Sequence, residues 1–246
     1  MNVEGLNPTT GRQSEDLNAT LEAALRRRRW KYRLISAGIR VAIYAAVMAV
    51  LFGADKVVVF FVHDQVLPQF DGAFFQYAVV VGRGYATRPG LMVVGLCVLL
   101  ADRRNGWRVV AIGTLGLVLA TGVTELGKET VDRVRPERML VGQKTGNVVK
   151  PRESGERSFP SGHATASFSL YATVCRYYPG VSPLFLLLAI GCSVSRILLL
   201  KHYPSDIFAG ALVGYYVTKW VVRSRLPRWL RLEPEPVEDQ SGDRDS

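Results

Sequence analysis

Three short segments hold the side chains best suited to chemistry. The first, Lys128-Glu-Thr-Val-Asp-Arg-Val-Arg135-Pro136, closes an apolar stretch. Pro136 is expected to end the helix there, leaving Arg135 at its mouth and Lys128 about two turns deeper. By itself, a basic residue at a helix end is more often an interfacial anchor than a ligand site. The second segment, Pro160-Ser161-Gly162-His163, opens another apolar stretch. Ser161 suits an N-cap, Gly162 lets backbone N–H groups approach a ligand closely, and such a helix N-terminus attracts anions. A capped helix with an interfacial histidine accounts for the same residues. The third is Ser195-Arg196-Ile-Leu-Leu-Leu-Lys-His202-Tyr-Pro-Ser-Asp206. Arg196 falls in an otherwise apolar run, where an uncompensated charge costs several kcal/mol and calls for an anion or a wet cavity. Snorkelling is the alternative, weakened by the four apolar residues that follow before Lys201. Pro204 is expected to start a helix between His202 and Asp206. The carboxylate can then accept the Nδ1 proton and leave Nε2 as a nucleophile.

Together these residues match the needs of phosphoryl transfer by a covalent route. Lys128, Arg135 and Arg196 can surround phosphoryl oxygens and stabilise the charge of the transition state, with N–H groups near Ser161 and Gly162 as fixed donors. His202 would attack phosphorus and Asp206 would orient it. His163 would protonate the leaving oxygen and then activate water. No His, Cys or Asp grouping has metal-ligand spacing, so neither a metal nor a cofactor is implied.

These segments need helices to position them. Apolar stretches of near-membrane length recur at residues 34–54, 107–126, 182–200 and 206–222, with two weaker ones at 88–101 and 161–178. The last is rich in Ala, Ser and Thr rather than Leu. One or two such stretches fit a soluble core; six in a chain of 246 residues point to an all-α, polytopic membrane bundle of about six spans, its active site near one face. Residues 1–32 read as a polar then basic cytoplasmic tail, 33–224 as the membrane domain, and 225–246 as a basic then acidic disordered tail. Residues 1–25 show no apolar periodicity and are expected to be unstructured. Arg26–Arg29 and Lys31 hold the N-terminus in the cytoplasm. That orientation places the 128–160 loop outside, although its cations would by charge alone look cytoplasmic. Cys97, Cys175 and Cys192 read as packing residues, and Gly210 and Gly214 as a GxxxG pair packing within the bundle. Residues 55–87 suggest interfacial helices or a re-entrant loop, and His63 has no assigned role.

The ordered set Lys128-x6-Arg135-Pro136, Pro160-Ser161-Gly162-His163 and Ser195-Arg196-x5-His202-x3-Asp206 resembles the three-part signature of the phosphatidic acid phosphatase type 2 superfamily, over about residues 90–222. The resemblance implies a six-helix core, metal-independent phosphomonoester or diphosphate hydrolysis, and a phosphohistidine intermediate. It also assigns Lys128, Arg135, Ser161, Gly162, Arg196 and both histidines to the phosphate pocket. The membrane spans point away from the family's soluble acid phosphatases and haloperoxidases. The expected partners are a lipid phosphate substrate and membrane lipids, with no nucleic acid. Phosphatidate, phosphatidylglycerol phosphate, diacylglycerol pyrophosphate and polyprenyl diphosphate all fit, and the basic loop 138–157 could attract a doubly charged headgroup. A site facing the outside of the inner membrane favours polyprenyl diphosphate slightly. A phosphotransferase on the same scaffold and a non-catalytic lipid-binding or transport protein are the alternatives.

Overall fold

A computed structural model describes residues 8–69, 72–73, 86–146 and 156–224. It divides the chain into two compact units, Met1–Val50 and Leu51–Ser246. Helix α1 (Pro8–Phe61) supplies the first unit and the start of the second. The second unit continues with α2 (Arg88–Ala101), α3 (Gly106–Thr130), α4 (Pro136–Thr145), α5 (Gly162–Tyr177), α6 (Ser182–Leu198) and α7 (Pro204–Arg223). The described residues contain no strand, only an isolated antiparallel bridge between Val134 and Arg157.

Among the described residues, three segments are long and apolar enough to cross a membrane: Thr20–Gln69, Gly106–Thr130 and Pro179–Leu198, whose apolar 18-residue stretches have mean hydropathies of 2.2, 1.8 and 1.9. Their outward faces carry large exposed apolar side chains such as Val50, Leu126 and Leu187. Lipid, not water, is the solvent that such a surface fits. The chain is an all-α polytopic membrane protein. Helix α2 is apolar but shorter. Helices α5 and α7 occupy the other two expected spans without being both as long and as apolar, and for α5 the packing explains why.

Helix α5 packs on α3, α6 and, most extensively, α7. All but Val174 of its buried positions are small: Ala164, Thr165, Ala166, Ser167, Ser169, Ala172 and Thr173. Between lipid-facing neighbours a helix gains more from close backbone approach than from bulk, so small residues replace Leu. Two hydroxyl pairs cross these seams, Thr124–Thr165 at 2.9 Å and Ser169–Thr218 at 2.6 Å. A Cβ at Gly210 would lie 2.4 Å from the Ser161 carbonyl oxygen, and one at Gly214 would lie 2.2 Å from that of Thr165. The GxxxG pair therefore packs α7 onto α5 within the chain.

Two expectations need correction. Residues 8–25 are helical and run directly into the apolar part of α1, not unstructured. The stretch Ala19-Thr-Leu-Glu-Ala-Ala-Leu is made mainly of strong helix formers, and Arg26 pairs with Glu22 one turn earlier at 2.7 Å. Second, Pro136 does not end α3. That helix stops at Thr130, the chain extends through 131–135, and Pro136 opens α4, where its missing N–H costs nothing. Within residues 55–87, α1 gives way to a π-helical turn at Val62–Val66 and a 3-10 turn at Leu67–Gln69. The Phe74-Phe75 pair, the Gly-Arg-Gly turn at 82–84 and the acidic tail lie outside the described residues.

Replacing Gly214 with Val forces its side chain into the α5 backbone. We expect Gly214→Val to cost about 3 kcal/mol or more, seen as a large fall in thermal midpoint in detergent. The control Gly122→Val, where a Cβ meets nothing within 4 Å, should leave the midpoint near wild type.

Candidate active site

The three segments meet where α5 and α7 begin. Residues 131–135 run extended after α3, and the Val134–Arg157 bridge ties them to the strand-like approach to α5. There the Ser158 N–H donates to the Arg133 carbonyl at 2.8 Å. Ser161 is fully buried and caps α5, its Oγ accepting from the Ala164 N–H at 3.5 Å. Its own N–H donates to the Asp206 carbonyl at 3.0 Å, which joins the first turns of the two helices. The nearest atom to a Cβ placed on Gly162 would be Lys128 Nζ, at 4.0 Å. The ammonium thus stands over the open end of α5, with Glu125 accepting from it at 2.7 Å. His163 sits in that same first turn.

His202 is 5% exposed, and its Nδ1 lies 2.8 Å from the Ser158 carbonyl oxygen. A carbonyl only accepts, so Nδ1 carries a proton, and in the neutral ring the lone pair belongs to Nε2. The sequence assigned this acceptor role to Asp206, but the nearest Asp206 oxygen is 3.8 Å from Nδ1, beyond hydrogen-bond reach. Both of its oxygens are occupied elsewhere. Oδ2 accepts the Tyr203 N–H at 2.8 Å in a capping box, and Oδ1 accepts from Arg133 Nη1 at 2.6 Å. Asp206 is therefore a charged neighbour of the imidazole and a cap for α7. As expected, Pro204 begins that helix.

Arg196 is buried in the last turn of α6, and its carbonyl accepts the Lys201 N–H at 3.1 Å and the His202 N–H at 3.4 Å. The His202 turn is thus wound directly onto the residue that carries the guanidinium. Arg135 is the N-cap of α4, half-buried, and the Glu137 N–H next along donates to the Leu200 carbonyl at 2.9 Å. Main-chain contacts therefore connect every signature segment to a common end of the bundle.

Sequence reasoning missed three residues here. Ser158 acts through its carbonyl, which no side-chain pattern reveals. Arg133 was read only as one of the loop cations; it is buried enough to ion-pair with both Asp55 and Asp206, and it stacks over the Tyr203 and Phe52 rings at 4.0 and 4.7 Å. Burial pushes the Tyr203 phenol up to about 12, so the ring facing the guanidinium stays neutral. Asp55, a carboxylate near the end of an apolar helix, is a signal that intramembrane charge should have raised. Two other loop cations also have partners: Arg138 pairs with Glu156, and Arg157 with Glu129 and Asp132. Lys150 and Arg152 fall outside the described residues. Among the described residues no cluster of His, Cys, Asp and Glu is grouped to hold a metal.

A small apolar cleft of about 90 Å³ opens elsewhere, among α2, α3 and α5, lined by Val98, Val109, Gly113, Leu170 and Val174. Gly113 lies about 22 Å along α3 from Lys128, so this cleft is not the site.

The PAP2 superfamily matches residues 90–230. The chain is 26% identical over 145 residues to a lipid A 1-phosphatase of Rhizobium etli, covering 56% of this chain and 62% of that protein. It is 33% identical over 127 residues to a decaprenylphosphoryl-5-phosphoribose phosphatase of Mycobacterium tuberculosis, covering 51% and 66%. The chain thus spans less than two-thirds of each of these relatives. Among solved structures, the fold is similar to that of Aquifex aeolicus LpxE, with a TM-score of 0.52, 20% identity, and coverage of 69% of this chain and 95% of that one. It is also similar to a transmembrane PAP2-type phosphatidylglycerolphosphate phosphatase from Bacillus subtilis, with a TM-score of 0.51, 14% identity, and coverage of 74% and 92%. This membrane bundle, with two capped helix ends facing a buried histidine, belongs to the PAP2 superfamily.

Proposed function

We propose that the chain is a metal-independent membrane phosphatase that hydrolyses a lipid phosphate or diphosphate through a phosphohistidine on His202. The observation that carries this reading is the Ser158 carbonyl on His202 Nδ1. It favours the neutral tautomer whose lone pair is on Nε2, in a loop that packs at the end of α5 where Lys128 lies near Gly162. In the first step the Nε2 lone pair forms a bond to phosphorus as the bond to the leaving oxygen breaks, and His163 supplies that oxygen with a proton. In the second, His163 takes a proton from water, whose oxygen displaces Nε2 and releases inorganic phosphate. Lys128, Arg135, Arg196 and the N–H groups of the Ser161–Gly162 turn stabilise the phosphoryl charge in both. Asp206, 3.8 Å away, favours the positive charge that the imidazole ring acquires when Nε2 is phosphorylated.

The substrate class is an amphiphile with its phosphate at headgroup level, because the reactive groups lie at one end of a bundle whose outer surface is apolar. The relatives named for lipid A and for decaprenylphosphoryl-5-phosphoribose support that class. Polyprenyl-linked phosphates rank slightly above phosphatidate and phosphatidylglycerol phosphate. The preferred orientation has both tails in the cytoplasm and the site facing outside, in agreement with the arginine-rich Arg26–Arg29 segment.

Purified protein in detergent with chelator should release phosphate from at least one member of a panel of these lipids. His202→Ala should lower turnover about a thousandfold or more. Full activity in His202→Ala, or an absolute need for added divalent ions, would sink the mechanism. Orientation is read separately, by placing Cys at Lys144 in a background with Cys97, Cys175 and Cys192 changed to Ser. An impermeant maleimide applied to intact cells should label it; protection would put the site on the cytoplasmic face.

A further inference from the structure

Among the described residues two carboxylates are buried, Asp206 at 0% and Asp55 at 1% exposure. The reaction above uses the first and leaves the second unexplained. Asp55 comes from α1, outside residues 90–230 that match the family. Removing a carboxylate from water costs several kcal/mol unless charge and hydrogen bonds replace the hydration, and here they do. Oδ1 accepts the Ser205 N–H at 3.0 Å, in the first turn of α7. Oδ2 accepts from the Ser205 hydroxyl and from Arg133 Nη2. The other terminal nitrogen of Arg133, Nη1, donates to Asp206 Oδ1 and to Ser205 Oγ, both at 2.6 Å.

One guanidinium therefore serves two carboxylates, and the cluster carries a net charge of about −1 beside His202. Without Asp55, Arg133 would neutralise Asp206 completely. The same contacts fix the Asp206 carboxylate in direction, since Arg133 and the α7 first turn are both held from the α1 side. Asp55 has no route to substrate; it acts through Arg133 and Ser205.

We infer that Asp55 is a positioning residue for the His202 centre, holding Arg133 and the first turn of α7 so that Asp206 faces the imidazole with its negative charge uncancelled. This rests on the histidine mechanism proposed above. Asp55→Asn removes the charge while keeping the shape, and Arg133 retains Asp206, so no buried cation is orphaned.

Phosphate release from a lipid that the wild type turns over is measured for wild type, His202→Ala, Asp55→Asn, Asp55→Glu and Ser205→Ala, alongside thermal midpoint and inhibition by inorganic phosphate. We expect Asp55→Asn to lose about tenfold or more in kcat, with KM and the phosphate inhibition constant within about twofold of wild type. Asp55→Glu, which restores the charge, should recover part of the loss. Wild-type kcat in a folded Asp55→Asn protein overturns the inference. So does a loss that appears equally in KM and phosphate inhibition, or an Asp55→Glu no better than Asp55→Asn. Should Asp55→Asn fail to fold, Ser205→Ala decides: a several-fold fall in kcat alone supports the role, and unchanged kcat overturns it. An active His202→Ala, or an inactive wild type, overturns the histidine reading and this inference with it. An active wild type, a silent His202→Ala and an unaffected Asp55→Asn overturn this inference alone.

Discussion

The close approach of α7 to α5 is the constraint on which the rest depends. At Gly210 and Gly214 the α7 backbone sits against the Ser161 and Thr165 carbonyls with no room for a side chain. That contact sets the first turns of both helices side by side, and the Ser161 N–H to Asp206 carbonyl bond follows from it. Once the turns are joined, the His202 loop can reach the Ser158 carbonyl, and the α3 end with Lys128 can cover Gly162. In lipid there is no hydrophobic gain from burying apolar groups between helices, so packing and hydrogen bonds must supply the specificity. The hydroxyl pairs along α5 do so without introducing charge, leaving the ionised groups for the end where chemistry occurs.

The two helix N-termini are treated differently. Each exposes N–H groups and the positive end of a macrodipole. At α7, Asp206 and Asp55 accept from the first turn, so its anion-attracting potential is already satisfied by the protein's own carboxylates. At α5, the cap is a neutral serine and the first turn carries no acid. On the function proposed above, its dipole, reinforced by Lys128, is the one left for a phosphoryl group.

How much of this was legible in the sequence depends on what kind of group acts. The signature side chains announce themselves by type and spacing, and main-chain contacts do connect those segments at one end of the bundle. The GxxxG pair and the start of α7 at Pro204 were equally readable, because glycine spacing and proline act locally. The extended stretch after α3 was not: Arg135-Pro136 signals a helix boundary equally well from either side, and only packing against Leu200 shows that α4 begins there. The helix over residues 8–25 is hidden by its polarity, since Ala, Leu and Arg favour helix without needing an apolar face. The weak hydropathy of α5 had the same root, since a helix surrounded by neighbours needs small residues more than apolar ones.

The acceptor on His202 is the most instructive departure. Four-residue spacing suggests a carboxylate on Nδ1, yet Asp206 is turned to Tyr203 and Arg133, and a backbone carbonyl accepts the hydrogen bond from Nδ1. These two arrangements differ chemically. A carboxylate in direct contact with the ring would both fix the tautomer and bind the imidazolium strongly, favouring a protonated and non-nucleophilic histidine in the resting protein. A neutral carbonyl orients the ring and leaves only the weaker field of a carboxylate at 3.8 Å to act on its charge. The negative charge held at 3.8 Å still favours the phosphorylated, positively charged ring by its field. Separating orientation from charge in this way requires that the charge itself be held by something other than the histidine. Arg133 and the first turn of α7 meet that requirement, which ties the reactive end of the bundle to a residue on its first helix.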